Sequence, residues 1–348
     1  MTNNKILVGL SGGIDSTVTC LLLLITGYDV SSLYMKMWDN GDSEPCTYKE
    51  DMMHATNACN TLGIKLYIHN FYTEYNNKVF KKLISGYVNG KTPNPDVLCN
   101  KKVKFNCLFT YAQTLGIKKI ATGHYGAKKN KTLEKAYDTK KDQTYFLCLL
   151  SRIHLGKTLF PLANYYKKQV RKIAFLTKLS NYTKKDSFGV CFIQPKKFNI
   201  FIGNYIKKVQ GNILNIHKTI IGTHNGISFY TIGQRITKEI TKKETYIVIG
   251  KNKKKNTLTV ARDNVSILVK YIPTRFVIIK THIKYGVLYC NVKTQSQQKE
   301  VGCYILSYKK KQILILYKNT KLPATSQIIA MYHNSICLGG STVMLPLL

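Results

Sequence analysis

Acidic residues are scarce in this chain of 348 residues, which has 17 Asp and Glu against 53 Lys and Arg and a net charge of +36. Such an excess disfavours basic partners and favours a polyanion such as nucleic acid. Arginine is scarce as well, since only five of the 53 basic residues are arginine. Because the chain is also rich in Ile, Asn and Tyr, part of its lysine content fits codon usage in an AT-rich genome, and charge alone is a weak argument.

Long apolar runs and paired cysteines are also missing. Apolar stretches such as residues 21–25 are too short to cross a bilayer, and we expect no leader before a first strand that begins at Lys5. The ten cysteines include no Cys-x-x-Cys pair, which disfavours a zinc module and a disulfide-stapled secreted fold. These absences predict a cytoplasmic or organelle-matrix protein, with the cytoplasm preferred, that has reduced thiols, no membrane partner and no metal site.

The most informative segment reads Gly-Leu-Ser-Gly-Gly-Ile-Asp-Ser over Gly9–Ser16 and follows an apolar run. It predicts a buried strand, a glycine turn and a helix over 17–25 that Ser16 caps. Glycine N–H groups and a helix N-terminus together form a cradle for anions. A Walker loop would carry Lys-Ser or Lys-Thr where Ile14-Asp15-Ser16 stands, so the phosphate site is of another kind. The expected ATP-binding residues of this loop are Gly9, Leu10, Ser11, Gly12, Gly13, Ile14, Asp15 and Ser16.

Strands and helices alternate over the first 125 residues, which predicts an α/β fold with a parallel sheet. The expected strands are 5–10, 30–35, 64–69 and 118–122, and the expected helices are 17–25, 50–62, 74–88 and 101–115. Period-two patterns follow from about Gly211, including one at 226–231, and predict small all-β modules. The division is a pyrophosphate-loop ATPase domain (1–205), a central β-rich module (206–269) and a C-terminal β-barrel (270–348).

Ligands of parallel sheets bind at the carboxyl ends of the strands. The loop at 11–16, Met35 and Gly123-His124 all fall at such ends, so we expect them to meet at one nucleotide. Met35 would contact adenine through its backbone. His124 is either a nucleotide neighbour or a core histidine whose hydrogen bonds are satisfied.

A second candidate site is the proline-fixed loop Thr92–Asn100, in which Asp96 stands three residues before Cys99. If Asp96 begins a helical turn, its carboxylate and the Cys99 thiol share one face. Cys191, in Gly-Val-Cys-Phe-Ile, is a second candidate, although by itself it fits a core cysteine. The thiolate is the reactive form, so each thiol would need a base or a lowered pKa.

These motifs resemble those of the tRNA-specific 2-thiouridylases (MnmA type) in the adenine-nucleotide alpha-hydrolase superfamily, in the same order from end to end. The matching segments are Gly9–Ser16, Thr92–Asn100 with Lys104-Phe105, Ala121–Tyr125, Lys141–Phe146, Gly189–Phe192, Phe229–Arg235 and Cys337–Gly340. The resemblance implies that ATP, with Mg²⁺, adenylates the C2 oxygen of the wobble uridine (position 34) and that sulfur then replaces this oxygen. The products would be 2-thiouridine, AMP and pyrophosphate.

The resemblance also assigns roles. Cys191 would carry the persulfide, Cys99 would be the nucleophile that releases its sulfur, and a transient Cys99–Cys191 disulfide would close the cycle. Asp96 would be the acid/base, and either the persulfide or hydrosulfide would attack C2. The implied tRNA contacts are Asn94, Pro95, Asp96, Lys141, Asp142 and Gln143. The implied partners are lysine, glutamate and glutamine tRNAs and a sulfur donor such as a cysteine desulfurase or a relay protein.

The chain departs from the family pattern at one place and leaves alternatives elsewhere. An Arg-Tyr pair expected in the C-terminal module is replaced around Gln295-Ser296, which puts that tRNA contact in doubt. Lys141–Gln143 could instead start a helix over 144–150, and Gln234-Arg235 could only brace the central module. Rival readings are a 4-thiouridine synthase, an amide-forming ligase and an RNA-binding protein with a degenerate active site.

Overall fold

The computed structural model describes residues 4–38, 47–184, 198–237, 244–263, 268–279, 286–308 and 311–344. The chain divides into two compact units. The first contains the described residues among 1–79, 96–192 and 334–338, and the second contains those among 80–95, 193–333 and 339–348. None of the helices in these described ranges is long and apolar enough to cross a membrane.

A five-stranded parallel sheet forms the centre of the first unit, in the order β3-β2-β1-β4-β7. Its strands are β1 (Lys5–Gly9), β2 (Asp29–Lys36), β3 (Lys65–Asn70), β4 (Lys119–Thr122) and β7 (Thr158–Leu159). The β1 side chains Ile6, Leu7 and Val8 are completely buried, as expected for a strand covered on both faces. The predicted parallel α/β fold is therefore confirmed.

The helices of this unit follow the predicted order with shifted ends. They are α1 (Ile14–Ile25), α2 (Thr47–Leu62), α3 (Tyr72–Tyr75), α5 (Pro95–Cys99), α6 (Phe105–Thr114), α7 (Thr144–Leu147), α8 (Arg152–Lys157) and α9 (Lys167–Leu176). A π-helical turn over Asn100–Lys104 joins α5 to α6, so this helical run begins six residues before the predicted start at 101. The predicted helix over 144–150 ends at Leu147.

Two apolar clusters hold α1 in place, and this helix carries the phosphate loop at its N-terminus. Cys20 and Leu23 of α1 pack with the sheet residues Ile6 and Val8. Val18, on another face of α1, packs with a second group that includes residues of α9. Burying each such side chain contributes about 1.5–3 kcal/mol. The N-terminus of α1 is therefore fixed against both the sheet and α9.

A short antiparallel hairpin completes the first unit. It consists of β5 (Ala127–Lys129) and β6 (Thr132–Glu134). The segment 334–338 extends it, since Ile336 and Cys337 pair with Glu134 and Leu133.

The second unit is mainly β-structure, as predicted. It contains α4 (Lys81–Val88) and α10 (Phe198–Gly203), followed by a sheet in the order β10-β11-β12-β8-β9. These strands are β8 (Gly211–Leu214), β9 (Ile220–His224), β10 (Arg235–Ile236), β11 (Tyr246–Asn252) and β12 (Thr257–Arg262). The predicted strand at 226–231 is wrong, because Gly226 has a φ of +131° and Ile227–Phe229 forms a 3₁₀ turn.

Six further strands form a closed barrel, which confirms the predicted C-terminal architecture. They follow the order β13-β16-β15-β14-β17-β18, and β13 pairs with β18 to close the ring. The strands are β13 (Leu268–Ile279), β14 (Gly286–Lys293), β15 (Val301–Tyr308), β16 (Lys311–Lys321), β17 (Ile328–His333) and β18 (Ile336–Val343). Closure leaves no long unpaired edge in this ring.

Candidate active site

The predicted phosphate loop lies between β1 and α1. Gly9 ends the strand, Gly13 precedes the first helical residue, and Gly12 has a φ of +73°. A Cβ atom on Gly12 would lie 2.1 Å from the backbone oxygen of Asp51. No side chain fits in that space, so the backbone passes where only glycine can lie.

Ser16 does not cap the helix, and that prediction is wrong. The helix begins three residues before its predicted start, at Ile14, with Gly13 as its N-cap. The Ser16 hydroxyl donates to the Gly13 carbonyl at 2.9 Å and accepts the Ser11 N–H at 3.2 Å. Ser16 therefore folds the loop back on itself, and the exposed residue of the turn is Ser11.

Gly123 lies against this loop from the end of the neighbouring strand. Gly9 and Thr122, the last residues of β1 and β4, are paired in register. Gly123 is therefore the first residue beyond the ends of both strands. A Cβ on Gly123 would lie 2.7 Å from the Ser16 nitrogen. Met35 lies on β2, the strand on the other side of β1, one residue before that strand ends. The structure thus brings Gly123 onto the loop and places Met35 at the same edge of the sheet.

Asp15, in the first turn of α1, is the centre of a polar network. Its Oδ1 accepts a hydrogen bond from the Lys167 ammonium at 2.6 Å and another from the Tyr125 hydroxyl at 2.9 Å. Lys167 is 8% exposed, so its charge is held at the N-terminus of α1 with little access to water. A buried cation beside a helix N-terminus suits a phosphate-rich ligand.

Sequence reasoning missed Lys167, and it used Tyr125 only as part of a motif. Lys167 lies in a segment with several lysines, Lys167-Lys168 and Lys172, so nothing in its type marks it. The available signal was the position of Tyr125, two residues beyond Gly123 at a strand end. Lys167 comes from α9, which the sequence does not connect with the loop.

Two further contacts support the loop from the segment that follows α9. The buried Asn181 side chain donates to the Gly12 carbonyl at 3.1 Å and to the Thr17 hydroxyl at 2.9 Å. Lys184 forms an ion pair with the Asp51 side chain at 2.6 Å. The backbone oxygen of the same Asp51 is the atom closest to the position of a Cβ on Gly12. The conformation of Gly12 is therefore held on two sides.

The second candidate site is the short helix α5. Pro95 occupies its first position, where a missing N–H costs nothing, and Asp96 and Cys99 follow at i and i+3 spacing. The structure thus provides the helical turn on which the shared-face interpretation depended. Cys99 is 2% exposed, and its thiol lies 3.8 Å from the Met37 sulfur. Asn94 and Pro95 lead directly into this turn.

The Asp96 carboxyl lies in an environment that favours its neutral form. Burial raises the pKa of Asp96 above its ordinary value of 3.8, and the nearby Lys104 ammonium partly opposes this by lowering the pKa. Lys104 lies in the π-helical turn that follows Cys99. A carboxyl whose pKa is raised is a stronger base than an ordinary carboxyl, and the Cys99 thiol lies three residues further along the same short helix.

His124 fits the structural alternative. Its Nδ1 lies 2.9 Å from the Thr122 hydroxyl, and its ring stacks on Phe105 with centroids 5.6 Å apart. Burial, followed by the Lys104 charge, lowers the pKa of His124 well below its ordinary value of 6.5. The imidazole is therefore neutral at physiological pH.

The Lys141-Asp142-Gln143 segment also has internal roles. Asp142 accepts hydrogen bonds from the Ala136 N–H at 3.0 Å and the Thr144 hydroxyl at 2.7 Å. Gln143 accepts the Tyr125 N–H at 2.9 Å. Gln143 is the N-cap residue of α7, as the structural alternative expects, although its side chain makes no capping hydrogen bond to that helix. Asp142 and Gln143 therefore stabilise the segment before α7, and Gln143 joins it to Tyr125 of the Asp15 network.

Other predicted residues lie elsewhere. Cys191 and its Gly189–Phe192 motif lie outside the described residues, as does Cys46. In the second unit, Gln234 accepts the Thr231 N–H at 3.0 Å, and Arg235 pairs with Asp263 at 2.8 Å. Both contacts brace the central module, as its structural alternative expects.

Three family models match successive parts of the chain. They are the tRNA methyl transferase HUP domain over residues 4–195, the tRNA methyl transferase PRC-barrel domain over 199–262, and the aminomethyltransferase beta-barrel domain over 270–343. The first contains both the phosphate loop and the Asp96–Cys99 helix.

Full-length relatives share one name, tRNA-specific 2-thiouridylase MnmA. The protein from Vesicomyosocius okutanii is 42% identical and that from Blochmanniella floridana 41%; the matches cover 98% of this chain in both cases, and 98% and 96% of those proteins. The Shigella boydii protein is 37% identical, with 98% of this chain and 97% of that protein covered. Coverage from end to end at this identity confirms the resemblance seen in the motifs, and this chain belongs to the tRNA-specific 2-thiouridylase (MnmA) family.

Proposed function

We propose that this protein replaces the C2 oxygen of the wobble uridine (position 34) of tRNA with sulfur, at the expense of ATP. The observation that carries the proposal is the phosphate loop. Gly12 and Gly123 leave no room for side chains, and Asp15 holds the buried Lys167 ammonium at the helix N-terminus. Asp96 and Cys99, on α5, belong to the same unit. The name shared by the relatives supports the substrate and the product.

In the first step, the uridine O2 attacks the α-phosphorus of ATP, and pyrophosphate leaves. The loop amides and Lys167 would stabilise the negative charge that pyrophosphate carries away. Mg²⁺ is commonly held by one or two carboxylates together with substrate phosphates. Asp15, besides accepting the bonds from Lys167 and Tyr125, would supply one carboxylate, and a magnesium ion that enters with ATP would neutralise phosphate charge.

In the second step, sulfur replaces the activated oxygen. The terminal sulfur of a Cys191 persulfide, or hydrosulfide released from it, attacks C2, and AMP leaves with the former O2. Cys99, deprotonated with Asp96 as base, attacks the inner sulfur of the persulfide, so that a Cys99–Cys191 disulfide forms. A two-electron reductant then restores both thiols. Lysine, glutamate and glutamine tRNAs, a desulfurase or relay protein as donor, and the cytoplasm remain parts of the proposal.

The proposal is tested by mass spectrometry of nucleosides. Unmodified tRNA is incubated with the full chain, ATP, Mg²⁺ and a persulfide source, and AMP and pyrophosphate are measured in parallel. We expect 2-thiouridine, with one AMP for each sulfur incorporated. A methylated uridine, which two of the matching domain descriptions would suggest, has a different mass and would contradict the proposal. So would tRNA binding without ATP cleavage, the expected behaviour of a degenerate RNA-binding protein.

The role of Asp96 gives a prediction on pH. If the ionised carboxylate is the base, activity rises with pH through the Asp96 pKa. Lys104 lowers this pKa, so Lys104→Met raises it further and moves the acid limb of kcat to higher pH. The kcat at saturating tRNA would be measured from about pH 4 to 8.

Lys102→Met is the matched control, because Lys102 is an exposed lysine of the same π-helical turn. An acid limb that moves equally in both variants would contradict the assignment.

Stability provides a second readout. The pKa of Asp96 in the folded protein lies above its ordinary value of 3.8. Ionisation of Asp96 therefore destabilises the fold as the pH rises from the ordinary pKa to the folded pKa. Asp96→Asn should therefore stabilise the protein at neutral pH and lose this effect in acid below the ordinary pKa.

A further inference from the structure

Two exposed tyrosines lie close to the phosphate loop and have no part in the mechanism above. Tyr137 is 62% exposed and Tyr166 is 45% exposed. Their ring centroids are 5.0 Å apart, in an edge-to-face arrangement. Rings packed edge to face at this exposure leave accessible aromatic surface on which a planar ligand can stack. We refer to Tyr137 and Tyr166 as the tyrosine platform.

The platform is held by a buried carboxylate. Asp138, next to Tyr137, accepts the Lys140 N–H at 3.1 Å through Oδ1 and the Lys167 N–H at 2.9 Å through Oδ2. One side chain thus ties the loop that carries the first tyrosine to the residue that follows Tyr166. Because the backbone that carries the two tyrosines is held before any ligand arrives, less conformational entropy is lost when one binds.

The platform also adjoins the candidate active site. Lys167, whose ammonium lies 2.6 Å from Asp15, directly follows Tyr166 in the chain. Adjacent Cα atoms are about 3.8 Å apart, so Tyr166 lies within one residue of the network that supports the phosphate loop. On the other side, Asp142 and Gln143 brace the loop that contains Tyr137.

Around the platform the lysine side chains are exposed and the Asp138 carboxylate is buried. Lys140 and Lys168 are exposed, whereas Asp138 is 7% exposed and is satisfied by backbone N–H groups. Asp142 accepts hydrogen bonds from within its own segment. The acidic side chains are therefore engaged in internal hydrogen bonds, while the exposed Lys140 and Lys168 lie three and two residues after the two tyrosines in the chain. Aromatic rings with a basic border suit unpaired nucleotides, because bases stack on the rings and phosphates pair with the cations. A basic border does not suit a second copy of a chain with a net charge of +36.

We infer that the tyrosine platform stacks an unpaired base of the tRNA beside the active site, with Lys140 and Lys168 on the flanking phosphates. The inference rests on the proposed function in one respect, namely that the polyanion is tRNA. It assigns the tRNA contact of this region to Tyr137 and Tyr166, with Asp142 and Gln143 acting as positioning residues that shape the loop.

The test is binding of unmodified tRNA to the full chain by fluorescence anisotropy, without ATP or a sulfur donor, over a series of salt concentrations. The double variant Tyr137→Leu/Tyr166→Leu is expected to bind about tenfold more weakly, since stacking on an aromatic ring contributes substantially for each base. The slope of log Kd against log salt should stay unchanged, because no cation is lost. The double variant Lys140→Gln/Lys168→Gln should instead reduce the magnitude of this slope by the amount expected for the loss of about two phosphate contacts.

Tyr137→Phe/Tyr166→Phe is the matched control, because it keeps both rings and removes only the hydroxyls; it should bind within about twofold of the native chain. ATP affinity, unchanged in all variants, reports that the loop is intact. Equal tRNA affinity for the leucine variant and the native chain would overturn the platform and leave the proposed function standing. A native chain that does not bind tRNA would overturn both.

Discussion

Replacing Cys99 by serine is expected to lower 2-thiouridine formation by about a thousandfold or more, while pyrophosphate is still released in a first turnover. A hydroxyl at this position has no accessible anionic form near neutral pH and cannot attack the persulfide. In the proposed mechanism adenylation uses the phosphate loop and not this thiol, so ATP should be cleaved until the activated tRNA accumulates. Rapid-quench measurement of pyrophosphate and nucleoside mass spectrometry would separate the two halves of the reaction.

Cys107→Ser is the matched control for this variant. Cys107 is a buried cysteine of the same unit, and burial raises its pKa to about 11, so it has no thiolate to contribute. We expect its serine variant to retain activity in proportion to its folded fraction. Multiple turnover of 2-thiouridine by Cys99→Ser would show that the sulfur transfer needs no second thiol. Cys99→Ala, measured alongside, separates loss of chemistry from the cost of burying a hydroxyl.

Gly12→Ala is expected to slow ATP cleavage by about a hundredfold or more and to lower the free energy of unfolding by about 2–4 kcal/mol. Two effects add: the residue adopts a φ of +73°, and the new methyl group would lie 2.1 Å from the Asp51 oxygen. The backbone must move to relieve this contact, and with it the amides that face the phosphates. A displacement of about 1 Å in such a site costs about a hundredfold in rate.

Gly116→Ala separates the two effects. Gly116 has a φ of +69°, close to that of Gly12, but a Cβ there meets nothing within 4 Å. Its alanine variant should lose only about 1 kcal/mol and keep its ATP cleavage. Differential scanning calorimetry and pyrophosphate release would be measured for both variants. Equal effects at the two glycines would mean that backbone conformation, and not the contact with Asp51, makes Gly12 necessary.

The features that could be predicted from sequence are those written in short, continuous segments. The strand before Gly9, the glycine turn and the Asp96–Cys99 spacing each depend on neighbouring residues, and the structure has all three. Regular alternation was enough to predict a parallel sheet followed by β-modules. Helix ends were less accurate, because the π-helical turn at Asn100–Lys104 keeps the helical backbone angles that continue from α5 and has no signature of its own.

The features that could not be predicted depend on residues far apart in the chain. Lys167 meets Asp15 across 152 positions, and Asn181 meets Gly12 across 169. Lysine and asparagine are common on surfaces, so neither type suggests a buried contact. The Ser16 cap failed for a local reason, since its hydroxyl donates to the Gly13 carbonyl and does not accept from the helix amides.

These long separations affect how the protein folds during synthesis. A nascent chain of 150 residues already contains the strand, the glycines and Asp15, but neither Lys167 nor Asn181. The phosphate loop then lacks the cation and the amide that hold its shape, and ATP cannot yet stabilise the folded form by binding. Contacts of high sequence separation form slowly, because a long stretch of chain must first be ordered. The candidate ATP site therefore cannot be completed until Asn181 has been synthesised, well after its strand, glycines and Asp15.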